Sequence, residues 1–289
     1  MKQSVYEIIT AKIITSLEKG LIPWRMPWTC PGSGIPVNYI TKRKYSGINK
    51  LLLYIEMFDK GYERNEWLTF KQCKSLDVSI KKGERCSLVC YYSYKSITKE
   101  NQNGEAETKA VPFFRYYRIF NVGQTTLELS SAEETSVFHT KARAEEIIRN
   151  MPMRPEVKRG RSASYVCTED VVRMPRKELF ISEEEYYSTF FHELAHATGH
   201  TTRLNRFSNN STTLFGGEQY SFEELIAELG SCFLCAESGF AQKTLENSSA
   251  YIKGWLKTFK SDNRFIIRAA NKAQKAVDYI LAKEKDGNE

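Results

Sequence analysis

Three of the four histidines in this 289-residue chain fall in one run, His192-Glu193-Leu194-Ala195-His196-Ala197-Thr198-Gly199-His200. Ser182 and Glu185 form a capping box ahead of it, which predicts a helix through the histidines with Gly199 as its natural stop. On a helix, positions i and i+4 share a face one turn apart. His192 and His196 are therefore candidate ligands for one ion, at about 2.0–2.1 Å from each ring nitrogen. Glu193 lies about 100° round the helix from His192. There it can reach a water on the ion without being a ligand, the arrangement of zinc peptidases. His200 lies about 12 Å along a straight helix from His192, too far to share that ion, so a capping or supporting role is expected for it. Thr202 stands where a metzincin would carry a histidine, which excludes that class.

A carboxylate on the next predicted helix, from Ser221 to about Glu237, is the expected third ligand. Glu224 and Glu228 share a face there. Glu224 is assigned as the ligand and Glu228 as the group holding a histidine Nδ1–H, with Glu228 or Glu223 as alternative ligands. Three protein ligands leave an open position, the signature of a catalytic zinc site, one Zn2+ per chain. Such an ion lowers the pKa of water toward about 7, and Glu193 is the expected general base. Tyr220, Tyr165 and Arg203 are candidate donors to a tetrahedral oxyanion. The stretch from Tyr165 to Pro175 is expected to be extended, an edge along which a peptide could lie.

Charge divides the chain. Residues 1–130 carry 20 Lys and Arg against 12 Asp and Glu, whereas residues 131–289 carry 22 against 23. Trp24, Trp28 and Trp67 also fall in the front part. The expected fold class is α+β in two domains. Residues 1–130 form a small, mostly antiparallel α+β domain, 131–138 a linker, and 139–289 a mainly helical domain with a short sheet. In the front part, Ser4 and Glu7 cap a first helix and Ser46 is expected to cap a second. Val78–Ile80 with Cys86–Tyr94 read as a hairpin, and the polar residues 95–111 as a loop. No apolar run reaches the roughly 20 residues of a membrane span. Seven cysteines, with Glu7 and Lys12 interrupting any apolar leader, point to reduced thiols in the cytoplasm. Cys232 and Cys235, inside the run SCFLCA, read as buried helix packing rather than a metal or redox pair.

The stretches IITSLEKGLIPWRMPW, YITKRKYSGINKLLL, WLTFKQC, FRYYRIFNVGQT, FFHELAHATGHTTRLNR and YSFEELIAELGSCFLCAE occur in order along nearly the whole chain. In this combination the chain resembles the ArdC-type antirestriction proteins of conjugative plasmids and other mobile elements. The resemblance implies an N-terminal single-stranded-DNA-binding domain and a C-terminal zinc metallopeptidase domain like the minimal gluzincins and Spartan-type proteases. It places His192 and His196 on the ligands and Glu193 on the catalytic glutamate. The third ligand falls within EELIAELG. Ala197 stands where the family often has Trp, a departure that touches no ligand.

A basic groove holds phosphates and aromatic faces stack bases. The candidates are Trp24, Arg25, Trp28, Lys42, Arg43, Lys44, Tyr45, Arg115, Tyr116 and Arg118. The expected partners are single-stranded DNA and a protein substrate. The expected function is an antirestriction protein with a zinc endopeptidase site. The alternative is a strand-coating protein with a structural or vestigial zinc, against which Glu193 argues, since a structural site needs no base.

Overall fold

The computed structural model describes residues 4–25, 34–100, 106–129, 137–207, 218–240 and 249–283. The front part runs through α1 (Val5–Glu18), a 3-10 turn at Pro23–Arg25, β1 (Val37–Asn38), α2 (Ile48–Lys60), β2 (Glu66–Thr69), α3 (Phe70–Ser75), β3 (Ser87–Glu100) and β4 (Ala106–Asn121). Its sheet has the order β1-β2-β4-β3. Only the β1–β2 pairing is parallel. The rear part runs through α4 (Val137–Asn150), β5 (Glu156–Arg159), β6 (Ser164–Val166), β7 (Val171–Met174), α5 (Glu183–Ala197), α6 (Glu218–Ser238), α7 (Ser249–Ser261) and α8 (Phe265–Ile280). Its short sheet has the order β5-β7-β6. The architecture is the expected two-domain α+β, mostly antiparallel in front and mainly helical behind. Most of the span 131–138, expected to be the linker, lies outside the described residues.

Local chemistry explains the element starts. Ser4 accepts from the Glu7 amide and the Glu7 carboxylate accepts from Ser4 N–H, closing the capping box of α1. Ser182 accepts from the Glu185 amide at the start of α5. Three boundaries differ from the expectation. The cap of α2 is Gly47, not Ser46: the backbone there has φ 54° and ψ −131°, a region open to glycine, and the Gly47 amide donates to Gln274 Oε1 at 3.0 Å. α6 begins at Glu218, ahead of Ser221, which brings Tyr220 onto the helix. The segment at Val78–Ile80 is not a hairpin strand. Ile80 bridges Thr125, and β3 pairs with β4 from Ser87↔Ile119 out to Glu100↔Ala106. Much of the expected 95–111 loop is therefore paired strand. Backbone groups alone complete such a ladder, so its polar composition did not reveal it.

One hydrophobic cluster runs through both parts. It joins Ile9, Ile13 and Leu17 of α1, Trp24, and Leu51 and Ile55 of α2 to Phe191 and Leu194 of α5, Leu225 and Leu229 of α6, Trp255 and Phe259 of α7 and Phe265 of α8. Polar contacts follow the same seam: Thr10 Oγ1 donates to the Asn263 carbonyl at 2.7 Å and Lys44 Nζ to Glu237 at 2.7 Å. Cys232 and Cys235 are buried in this core, consistent with a packing role.

The close crossing of α5 and α6 sets the geometry of the histidine helix. A Cβ added at Gly230 would lie 2.9 Å from the Ala195 Cβ. Gly230→Ala is therefore expected to lower stability by about 1–3 kcal/mol through overpacking, despite the roughly 1 kcal/mol that alanine gains in helix propensity. A lower urea midpoint with unchanged slope is the expected reading. An unchanged or raised midpoint would mean the helices have slack at this crossing.

Candidate metal centre and nucleic-acid face

α5 carries His192 and His196 one turn apart, with ring planes crossed at 83° and centroids 4.7 Å apart. Their Nε2 atoms converge to 3.1 Å. From α6, Glu224 brings Oε1 to 3.4 Å from His196 Nε2 and Oε2 to 3.6 Å from His192 Nε2. A tetrahedral ion with bonds of about 2.0–2.1 Å sets its ligand atoms roughly 3.3–3.4 Å apart. The triangle of two imidazole nitrogens and one carboxylate therefore fits a first-row divalent ion. Among the described residues, these three are the group whose donor atoms all lie within 4.8 Å of one another.

The triangle is braced from behind. Glu223 Oε1 lies 3.5 Å from His196 Nδ1. Arg206 grips Glu223 through Nε at 3.0 Å and Nη2 at 2.6 Å, and also reaches Thr198 Oγ1 at 2.7 Å and the Ala195 carbonyl at 2.8 Å. A carboxylate on the far nitrogen of a ligand imidazole fixes its tautomer and orientation. Glu228 was expected in that place, and the structure puts it elsewhere. Its carboxylate accepts from Trp24 Nε1 at 2.6 Å, from Arg25 Nη2 at 2.7 Å and from the Tyr251 hydroxyl. The reason is where the counter-charges lie: Arg206, in the turn after α5, meets Glu223, whereas Arg25 of the front part meets Glu228.

Without an ion, the carboxylates and the His196 imidazole at the centre favour each other's charged forms, and a bound ion would take the place of the His196 proton. Burial acts against a charged His196, but the Glu223 and Glu224 carboxylates outweigh it and push it up to about 10. Burial would raise Glu224, yet hydrogen bonds from His192 and His196 hold it well below the usual carboxylate range. Glu223 is lowered in the same way by His196 and Arg206 against its burial. Glu193 is buried on the same helix. Tyr220, raised by burial and by Glu224, to which its hydroxyl donates, also feels the Glu193 charge and so borders both.

Tyr165 and Arg203 belong to a different cluster. Tyr165 donates to Asp170 at 2.7 Å. Arg203 pairs with Asp170 and donates to the Ala197 carbonyl at 2.7 Å, with a side chain only 1 % exposed. Both are committed there, whereas Tyr220 borders Glu224 and Glu193. His200 pairs with Thr202 Oγ1 at 2.8 Å and lies outside the triangle.

The basic and aromatic candidates also separate. Trp24 is fully buried, set edge-on to Trp255 and Phe259, so it has no free face for a base. Arg25 is tied to Glu228, and Trp28 lies outside the described residues. Tyr45 is half-buried against Leu53, Trp67, Val89 and Ile119. Lys42 and Lys44 are exposed but paired with Glu66 and Glu237, and Arg43 is exposed beside them. Arg115, Tyr116 and Arg118 are exposed on β4. Two residues missed by the sequence reading join them. Tyr91 and Tyr117 are 51 % and 48 % exposed and meet edge-on at 6.3 Å, with Arg115 directly opposite Tyr91 in the ladder. The paired tyrosines of SLVCYY and RYYRIF were the available signal.

The crystal structure of the antirestriction ArdC protein from the R388 plasmid, metal-free, is 32% identical to this chain, covers 98% of it and 100% of its own length, and superposes with a TM-score of 0.74. The chain belongs to the ArdC antirestriction family. The Mn(II)-bound structure of R388 ArdC is 31% identical, with a TM-score of 0.76 over 99% of this chain and 100% of its own. Residues 3–120 match the family described as the N-terminal domain of anti-restriction factor ArdC, and residues 142–272 the family described as a zincin-like metallopeptidase. The uncharacterized protein y4eC of Sinorhizobium fredii is 32% identical, over 98% of this chain and 93% of y4eC. DNA primase TraC of Escherichia coli is 30% identical over 98% of this chain, which spans 28% of that longer protein. This ArdC-family chain thus carries a zincin-like metallopeptidase domain with a His-His-Glu group able to hold a metal. No helix among the described residues is long and apolar enough to cross a membrane.

Proposed function

We propose that this chain is an antirestriction protein that binds single-stranded DNA in the cytoplasm and is a zinc-dependent endopeptidase. His192, His196 and Glu224 would hold one Zn2+, and Glu193 would be the general base. The observation that carries the reading is the convergence of two imidazole Nε2 atoms 3.1 Å apart with the Glu224 carboxylate, whose Oε1 lies 3.4 Å from His196 and Oε2 3.6 Å from His192, beside a buried Glu193. Three ligands leave the fourth position of a tetrahedral site open, as in catalytic rather than structural zinc centres. The bound ion supplies Lewis acidity to water and to a scissile carbonyl. Glu193 accepts the proton of the attacking water and returns it to the leaving amine. The Tyr220 hydroxyl, which borders Glu224 and Glu193, is the proposed donor to the oxyanion once it turns away from Glu224. Profiling new protein N-termini with the metal-loaded chain tests the activity. Cleavage absent from a Glu193→Gln control supports it, and identical N-termini in both samples refute it.

The ribbon of β3 and β4 is the proposed strand-binding face. Tyr91 and Tyr117 present ring surface on that face and Arg115 supplies charge beside them, whereas Tyr116 and Arg118, at the alternate positions of β4, are exposed on the opposite side. Stacking is tolerant of sequence and contributes about 1–3 kcal/mol per base. Tyr91→Ala and Tyr117→Ala should each weaken binding of a labelled oligonucleotide by that amount in fluorescence anisotropy. Undiminished affinity in the double variant would move the interface away from the ribbon. Charge reversal at Lys42, Arg43 and Lys44 should flatten the dependence of affinity on salt, because fewer counterions are released on binding.

A further inference from the structure

We infer that Trp24 and Arg25 are positioning residues for the metal centre, acting through Glu228 on the helix turn that carries Glu224. The inference rests on Glu224 being the third ligand. Glu228 stands four residues after Glu224 on α6, one turn further along the same face. Three donors from two directions converge on its carboxylate. Trp24 Nε1 reaches Oε2 at 2.6 Å and Arg25 Nη2 reaches Oε1 at 2.7 Å, both from the front part of the chain. The Tyr251 hydroxyl comes from α7.

The grip is rigid and largely dry. The Arg25 and Glu228 side chains are only 14% and 12% exposed. The guanidinium lies 4.0 Å over the Tyr251 ring, and Trp24 is set edge-on against the stacked Trp255 and Phe259, at 5.9 Å and 6.0 Å. A charge-assisted pair in such a site is directional and strong, and taking away one partner strands a buried charge. Glu228 would then move toward water, and the turn bearing Glu224 moves with it. At its other side α6 is already pressed against Ala195 by Gly230, so displacement at Glu228 is passed toward the metal triangle instead of being absorbed. Groups that orient metal ligands typically change metal affinity by about 10–100-fold when removed. Arg25 acts one step further out, so an effect of about tenfold is expected.

The test is Mn(II) binding to the full chain by calorimetry, paired with the visible absorption of the Co(II)-loaded protein and the melting temperature. Arg25→Ala should weaken Mn(II) binding about tenfold and alter the Co(II) spectrum, because the ligand geometry changes. Arg25→Lys should restore part of both, which a simple packing role would not. Trp24→Phe keeps a ring and removes the N–H, and Tyr251→Phe keeps the stack and removes the hydroxyl; each should shift affinity in the same direction and serves if Arg25→Ala fails to fold. Unchanged Mn(II) affinity and Co(II) spectrum in these variants, with Glu224→Ala abolishing binding, would overturn the positioning role and leave the site standing. Full Mn(II) binding by Glu224→Ala would overturn the ligand assignment and this inference with it.

Discussion

Glu193→Gln is expected to cut peptidase turnover by about 10²–10⁴, the range associated with loss of a general base, while metal content and strand binding stay near wild type. The substitution conserves size at a buried position. It leaves both imidazoles, Glu224 and the Glu223–Arg206 brace in place, so the donor triangle has no reason to change. What disappears is a group able to accept the proton of water. Metal analysis, oligonucleotide anisotropy and cleavage assays on the same preparation separate these effects. Loss of metal in this variant would make Glu193 a structural element of the site and remove its assigned role. The same variant asks what protects entering DNA from restriction. Protection is expected to survive, since coating a strand needs no turnover and a nuclease that cuts duplex DNA cannot act on a covered single strand. Loss of protection with DNA binding intact would place proteolysis inside the protective mechanism.

His196→Ala should empty the centre. Wild-type protein is expected to hold about one zinc per chain, and the variant close to none after gel filtration. His196 is the point where all the supports meet: Nε2 faces Glu224 at 3.4 Å and Nδ1 faces Glu223 at 3.5 Å. Removing the ring takes away a donor and the contact that both carboxylates make with it at once. Glu224→Ala should also lose most of the ion. Glu223→Gln keeps every ligand and weakens only the orienting contact, so a drop of about 10–100-fold in affinity is expected. His200→Ala is the control, because His200 pairs with Thr202 outside the triangle, and its metal content should match wild type. Undiminished zinc in His196→Ala would remove the assigned site altogether.

The readability of this protein from its sequence followed the range of the interactions involved. His192, Glu193 and His196 were legible because a helical turn is local and a capping box at Ser182 announces the helix. Glu224 was legible as one of three choices, because helical period narrows the face but not the tertiary angle at which α6 meets α5. The exchange of roles between Glu223 and Glu228 depended on that angle and on two arginines, Arg206 and Arg25, which lie in turns that carry no periodic signal. Trp24 was read as available to bases because Pro23 and Pro27 bar a regular helix around it. Its burial needs Trp255 and Phe259, more than 200 residues away in the chain. The β3–β4 ribbon was underestimated for a related reason: strand pairing satisfies backbone groups whatever side chains they carry.

The core that runs from α1 to α8 also bears on heredity. Ile9, Ile13, Leu17 and Trp24 complete the packing around Trp255, Phe259 and Phe265, so a crossover that separated the two halves of the coding sequence would leave each product with bare apolar surface. Transfer of either half alone is therefore expected to give a less stable product. The TraC relative agrees with that constraint: 98% of the present chain aligns within it, although the shared block makes up 28% of the longer protein. Within that shared block the aromatic ribbon and the histidine helix stand together.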